Sequence, residues 1–290
     1  MFIVKIYLIK IKMVSNFFFS KAFKKNPLIT LIRCLNLIIL LILRYKKIIK
    51  INFGKKSFLF LFYPLGKGTG SRGIFLFRER YEPLLEYGHK FILPTDTIID
   101  GGANQGIFSL AFASLSKKIK IFSVEPFKYC HKILKENLKI NLFKNVTIIP
   151  KVLSNTIASH QLDYSKSNVS ASIVRDFGGE KTLTISSTTI DEITLKYKLQ
   201  KIDLIKLDIE GAELAALKGG CRSIQKFIPK IVLECNNYEY KKIYKFLKKF
   251  KYTSYLLTKD GFIKKINSIP KSESNIFFLT KEHIHLLKIL

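Results

Sequence analysis

The segment from Thr97 to Gly106, TIIDGGANQG, constrains the fold of this chain more than any other. Its first residues read as a buried strand that runs straight into a glycine-rich turn and then into the apolar helical stretch GIFSLAFASLS. Such a turn lets a ligand come close to the backbone, because glycine has no Cβ and accepts positive φ. The pattern then repeats. IKIFSVE at 119–125 precedes a helical KYCHKILKENLKIN and the strand VTIIP, and after a polar stretch the chain continues with DLIKLD at 203–208, GAELAALKGG, IVLEC, YKKIYKFLKKF, YTSYLL at 252–257 and NIFFLT at 275–280. Alternation of this kind predicts an α/β fold with a mostly parallel sheet. The polar stretch from Leu153 to Ile193 is expected to contain an irregular hairpin.

The chain upstream has another character. No acidic residue precedes Glu79, whereas the first 78 residues hold 16 lysines and arginines. Over the whole chain, 50 Lys and Arg against 21 Asp and Glu give a net charge of +29. A basic surface attracts nucleic acid, anionic lipid or acidic glycan; the joint abundance of Lys, Ile, Asn and Phe is also what AT-rich coding produces whatever the function. Hydrophobic residues at 48% exclude an intrinsically disordered chain. Cys34, Cys130, Cys221 and Cys235 form no CxxC pair, which argues against a disulfide framework or structural zinc and fits a reducing compartment.

Lys5, Lys10 and Lys12 interrupt the apolar start, so it makes a poor signal peptide. The run Pro27 to Leu43 is more apolar but short, roughly 25 Å as a helix against a hydrocarbon core of ~30 Å. Basic residues flank it on both sides. It is expected to dock on its own domain or to lie on an anionic membrane surface, with spanning only marginal. The expected organisation is a basic, apolar helical segment over 1–55 and an extension over 56–96. That extension holds strands at 57–63 and 74–77 and a short helix near Pro83. The main domain follows over 97–280, then a tail over 281–290. The expected location is the cytoplasm, with residues 1–55 able to reach the inner face of a membrane.

Two nucleoside ligands fit the glycine turn. A dinucleotide accepts the spacing as a GxAxxG variant, whereas S-adenosylmethionine suits an acid, Asp100, immediately before the glycines. Asn104 tolerates the left-handed backbone that the turn demands. Glu125, ending the next strand, can accept both ribose hydroxyls in either case. The fourth strand of the main sheet ends in KLDIEGAE, which places Asp208, Glu210 and Glu213 at the crevice where open α/β sheets bind ligands.

Taken with VEP at 124–126, Thr189 to Ile193 (TIDEI), LFYP at 61–64, RYEP at 80–83, LKGG at 217–220 and IVLEC at 231–235, this order of motifs resembles the FkbM family of methyltransferases over roughly residues 60–235. The resemblance implies a Rossmann-like class I methyltransferase domain, a three-layer sandwich, that uses S-adenosylmethionine to methylate oxygen on a sugar, glycan or secondary metabolite. It places Asp100, Gly102, Asn104, Gly106, Glu125 and Ser154 at the cofactor. Asp208, Glu210 and Glu213 would lie beside the acceptor, with Asp208 or Glu210 as general base and Lys206 as base only if its pKa is depressed. The chain departs from the pattern at Gly101, usually aliphatic, and at Ser154-Asn155, where an acid often follows the serine.

A metal on Asp208, Glu210 and Glu234 is conceivable, but no ligand spacing demands one, and none is expected. The histidines (His89, His131, His160, His283, His285) form no HExxH. A nucleic-acid methyltransferase is an alternative that the charge invites, yet DIEG stands where a base N-methylating enzyme carries (N/D)PP(Y/F/W), and there is no Pro-Cys nucleophile. The other alternative is a membrane-surface or glycan-binding protein that keeps the fold without catalysis, against which the intact Asp100, Glu125 and Asp208 argue.

Overall fold

The computed structural model describes residues 21–65, 70–163, 182–234, 237–258, 260–268 and 275–289. The expectations for residues 1–20, for Cys235 and for residues 164–181 of the polar stretch lie outside them. The short helix α1 (Lys21–Lys25) leads into α2 (Pro27–Leu43), which starts with proline in its first turn and ends at Arg44 in the left-handed conformation. Among the described residues no helix is long and apolar enough to cross a membrane.

The helical reading of residues 1–55 stops there. Strand β1 (Lys47–Phe53) pairs antiparallel with β2 (Lys56–Phe62) around the two-residue turn Gly54-Lys55. The signal was present in KIIKINF, whose alternation buries Ile49, Ile51 and Phe53 and exposes the residues between them. Gly54 takes a positive φ of 61°, as such a tight hairpin turn needs. A second correction falls on residues 74–77, expected as a strand. They lie in helix α3 (Ser71–Phe77), whose first carbonyl, Gly70, accepts from the N–H groups of Gly73 and Ile74. Four consecutive apolar residues suit a buried helical turn as well as a strand. Helix α4 (Pro83–Tyr87) follows, with Pro83 at its start.

The main domain runs through β3 (Thr97–Gly101), α5 (Ile107–Leu115), β4 (Lys120–Val124), α6 (Lys128–Ile140) and β5 (Val146–Ile149). Strands β6 (Val152–Leu153), β7 (Ser159–Asp163) and β8 (Thr182–Thr188) form a separate small sheet in which β7 and β8 make the expected antiparallel hairpin. Then come α7 (Ile190–Lys196), β9 (Leu204–Leu207), α8 (Glu213–Lys218), α9 (Cys221–Phe227), β10 (Lys230–Leu233), α10 (Asn237–Leu247), β11 (Thr253–Leu257), β12 (Ile263–Lys265) and β13 (Ile276–Leu279). The expected tail is instead a helix, α11 (Lys281–Ile289), because Ile284 and Leu287, three residues apart, pack on the core.

The eight main strands lie in the order β12-β11-β13-β10-β9-β3-β4-β5. The five from β10 to β5 are parallel, and β13, β11 and β12 extend the edge antiparallel. Successive strand residues feed opposite cores, as the pleat requires. Ile98, Ile121, Leu204 and Phe277 join one core with α5 and the β1–β2 hairpin, while Ile99, Phe122, Ile205 and Phe278 join the other with α7 to α10. This is a Rossmann-like three-layer α/β fold. The chain steps outward from β3 through β4 to β5 and later returns to β9 on the other side of β3, so the crevice opens above β3 and β9.

The hairpin is tied to this domain by two asparagines one helical turn apart. Asn137 accepts from the Leu61 N–H at 2.7 Å and donates to the Gln105 carbonyl at 3.1 Å. Asn141 accepts from Leu59 N–H and donates to Leu59 O, both at 2.7 Å. Together they cover the edge of β2 that would otherwise present unpaired backbone groups. Asn137 is fully buried, so Asn137→Ala should leave two backbone groups without partners and cost roughly 2–5 kcal/mol in chemical denaturation. Asn141→Ala, where water can replace the amide, should cost less than about 1 kcal/mol. Equal losses would contradict this division.

Candidate active site

The glycine turn after β3 is held from beneath and from the side. Gly102 and Ala103 donate to the carbonyl of Val124 at 2.9 and 3.2 Å, and Gly102, Asn104 and Gly106 all take positive φ. A side chain on Gly102 would place its Cβ 1.9 Å from the Asp208 carbonyl oxygen, so the turn after β3 and the acidic loop after β9 touch through backbone. At Gly101 an added Cβ would meet Leu153 and Leu207, which fill the space of the aliphatic residue usual there.

Glu125 stands at the end of β4 with almost no exposed surface. Its two oxygens accept from Asn104 N–H at 2.9 Å and Phe127 N–H at 3.1 Å. Burial pushes its pKa up to about 7, against the pull of those two N–H groups and of Lys206. Each carboxylate oxygen can accept a second bond, so the pair retains capacity for vicinal hydroxyls. Cys130 reaches the Asn104 amide oxygen from α6, and His131 meets the Glu125 carbonyl.

Asp100 is placed differently from its neighbours in the turn. Its carboxylate has no exposed surface, accepts from Ser109 Oγ at 2.6 Å, and lies 3.5 Å from Lys206 Nζ. Asp100 and Lys206 are direct partners across β3 and β9, and Ser123 is the partner of Asp100 on β4. Ser109 also bonds Ser123, at 2.7 Å, so a polar row crosses the sheet beneath the turn. Asp100 shares the face of Ile98, two residues earlier, and that alternation was the available sign that it points towards α5. Its Oδ1 is the oxygen that faces the Lys206 ammonium.

Lys206 joins this row to the acidic loop. Its ammonium lies 3.6 Å from Asp208 Oδ2, 3.5 Å from the Gly102 carbonyl and 4.9 Å from the centre of the Phe108 ring. Burial disfavours its charge, but Asp100, Asp208 and Glu82 outweigh that and hold its pKa above the ordinary lysine value. A lysine so held is no base at neutral pH. Asp208, in contrast, is 46% exposed at its side chain and opens towards the crevice. Glu210 and Gly211 both take positive φ, 54° and 99°, an uncommon conformation for a glutamate. Glu213 is buried. Its Oε1 accepts from Ile209 N–H at 3.0 Å, its Oε2 has no partner among the described residues, and burial raises its pKa to about 7.

Glu82, within the RYEP motif, belongs to this charged group although it precedes the main domain. Burial raises its pKa to about 7, Lys206 opposes the rise and Asp208 adds to it, and Asn275 donates to it at 3.3 Å. Tyr81 beside it feels Glu82, Glu234 and Asp208 as well as its own burial, and its pKa is raised. No periodicity marked these residues for the site; the only sign was RYEP as one of the motifs that carry the family resemblance.

Two motifs prove to be framework. In TIDEI, the Thr189 hydroxyl accepts from Glu192 N–H at 2.9 Å and caps α7, while Asp191 accepts from Ser223 N–H at 2.8 Å at the start of α9. In LKGG, a Cβ on Gly219 would meet the Ser154 carbonyl at 2.2 Å, so the glycine lets α8 close on the chain at Ser154. Ser154 itself is buried and donates to the Asn155 side chain at 3.2 Å. Among the described residues no three His, Cys, Asp or Glu side chains converge as metal ligands.

The family model of the methyltransferase FkbM domain matches residues 100–254. The chain belongs to the FkbM methyltransferase family. It is 27% identical to Methyltransferase sdnD of Sordaria araneosa over 47% of this chain and 65% of that protein. It is also 27% identical to Hexuronic acid methyltransferase AglP of Haloferax volcanii, over 45% of this chain and 52% of that protein. The matched region thus spans between half and two thirds of these relatives. A solved FkbM methyltransferase from Methylobacillus flagellatus superposes with a TM-score of 0.48 at 17% identity, covering 72% of this chain and 53% of that one. The family's cofactor, S-adenosylmethionine, fits the residues present, because the buried Glu125 carboxylate has acceptor capacity left beside a turn that approaches through backbone.

Glu125 accepts hydroxyl protons better when ionised. With its pKa near 7 in the free protein, affinity for S-adenosylhomocysteine, measured by calorimetry, should weaken as pH falls through 7 towards 6. In Glu125→Gln the affinity should be lower at pH 8 and should change less over the same range, the remainder coming from Glu82 and Glu213, which burial also raises to about 7. Undiminished affinity of the variant at pH 8 would remove Glu125 from the cofactor site.

Proposed function

We propose that the protein is an S-adenosylmethionine-dependent O-methyltransferase acting on a hydroxyl of a sugar or glycan. The observation that carries this reading is the backbone contact at Gly102, which sets the acidic loop of Asp208 and Glu210 directly against the turn that Glu125 stabilises. Gly102, Asn104, Gly106, Glu125 and Ser154 hold the cofactor, and Asp100 anchors the turn from behind through Lys206. The relative named as a hexuronic acid methyltransferase supports a carbohydrate acceptor, and the net charge of +29 favours approach of an acidic one.

When bound, the cofactor supplies a methyl carbon on a sulfonium, and the C–O bond forms as the C–S bond breaks. The chain's own residues then have three tasks. The turn and Glu125 fix the nucleoside, which aligns the methyl donor and is worth several kcal/mol in such a displacement. Asp208, 3.6 Å from the Lys206 ammonium and open to the crevice, takes the acceptor hydroxyl's proton as the new bond forms. Glu210, held in a strained backbone, fixes the acceptor's orientation next to it.

Incubation with a labelled methyl donor and uronic-acid-containing glycans should put label on the sugar in a form stable to mild base, as an ether is and a methyl ester is not. Base-labile label, or label on nucleic acid, would overturn the reading. With the true acceptor, Asp208→Asn and Glu210→Gln should lower turnover about 10²- to 10⁴-fold while S-adenosylhomocysteine affinity stays within roughly threefold of wild type. Near wild-type turnover in both variants would show these carboxylates to be structural.

A further inference from the structure

Among the described residues, helix α2 has one face in contact with the rest of the protein and another that is exposed. Thr30 and Leu37 are buried, Leu40 and Leu41 pack on the core, and Arg33 donates to the Leu76 carbonyl of α3 at 2.9 Å. Lys25, just before the helix, bridges to Glu86 at 3.1 Å. The opposite face is apolar and exposed: Leu28, Ile32, Leu35, Ile39 and Ile42 recur every three or four residues along its length, with Leu35 64% and Ile42 73% accessible. A soluble surface seldom presents an apolar stripe of this extent without a partner.

We infer that this outward face of α2 seats in the interfacial layer of an anionic lipid bilayer, with the helix axis in the membrane plane. Charge identifies the partner. Lys24 and Lys25 stand at one end of the stripe and Arg44, Lys46, Lys47 and Lys50 at the other; Lys25 pairs with Glu86 and Lys46 with Glu136, and Arg44, Lys47 and Lys50 are exposed. An apolar face ending in cations at both tips is the pattern of a helix lying on anionic lipid. Tyr45 is exposed among those cations, where an aromatic ring with a polar tip suits the headgroup level. The helix has 17 residues, about 25 Å, and it lies along the surface because its other face is already bonded to the domain. A second copy of the chain would meet the same stripe with its own cations, and the like charges oppose that pairing. The floor beneath α2 is α3, which leads directly into Tyr81 and Glu82 of the active site, so the bilayer contact and the acceptor carboxylates are joined by one short run of chain.

The test uses the full-length protein and vesicles of phosphatidylcholine alone or mixed with phosphatidylserine. It needs neither cofactor nor acceptor, so its outcome is independent of the catalytic reading. Wild type should co-sediment with the anionic vesicles at low salt, be released as salt rises and the Debye length falls below about 10 Å, and bind the neutral vesicles weakly. The triple variant Leu35→Gln/Ile39→Gln/Ile42→Gln alters only exposed positions and should keep its thermal unfolding profile yet bind at least tenfold more weakly. Lys47→Gln/Lys50→Gln should lower affinity about fivefold per lysine at low salt. The proposal is overturned if wild type ignores anionic vesicles, or if the triple variant binds as wild type does. It is equally overturned if light scattering shows a wild-type dimer that the triple variant dissolves, since the face would then belong to a second copy.

Discussion

The buried ammonium of Lys206 is the interaction on which the rest of the site depends. A lysine taken out of water costs several kcal/mol unless its charge is answered, and here Asp100, Asp208 and Glu82 answer it from three different parts of the chain. Asp100 comes from the strand that launches the glycine turn, Asp208 from the loop that faces it, and Glu82 from the segment before the domain begins. One cation therefore holds together elements more than a hundred residues apart. Its contact with the Gly102 carbonyl explains why the turn and the acidic loop can press backbone to backbone without a side chain between them. The same pairing keeps Lys206 charged.

Much of the main domain was legible because its signals are local. Strands with apolar runs, helices with glycine at their ends and the order of DGGANQG, VEP and DIEG all survive in the fold, and residues 97–106 form the strand and turn their composition implied. The sequence was least informative where several residues of one type had to be assigned a direction. Asp100 reads as a ligand contact when it is seen as the acid before two glycines; counted from Ile98 along the strand, it belongs to the face packed on α5. Glu82 was marked only as part of RYEP, without a role, since its meaning arises from Lys206, which is 124 positions away in the chain.

The N-terminal part shows the same limit in another form. The positive charge and the apolar run between Pro27 and Leu43 suggested one continuous helical, basic segment, but a hairpin begins only a few residues after the helix ends. Its buried residues Ile51, Phe53 and Phe60 enter the same core as Phe112, so residues 47–62 are part of the domain's foundation, and α2 is an outer layer resting on it. Only the packing partner separates the two roles, and that partner is distant in sequence. The asparagine pair on α6 makes the point for polar residues: Asn137 and Asn141 look alike in the sequence, and only the edge of β2 makes one of them indispensable.

The central claim is that the cofactor lies in a single crevice above β3 and β9, where Lys206 draws the glycine turn and the acidic loop together. A crystal structure of the full-length protein with S-adenosylhomocysteine tests it most directly. The account predicts ribose hydroxyls within hydrogen-bond distance of Glu125, the nucleoside against the backbone of 102–106, and the sulfur turned towards Asp208. A nucleoside bound elsewhere, or bound there with Glu125 meeting only water, would contradict it.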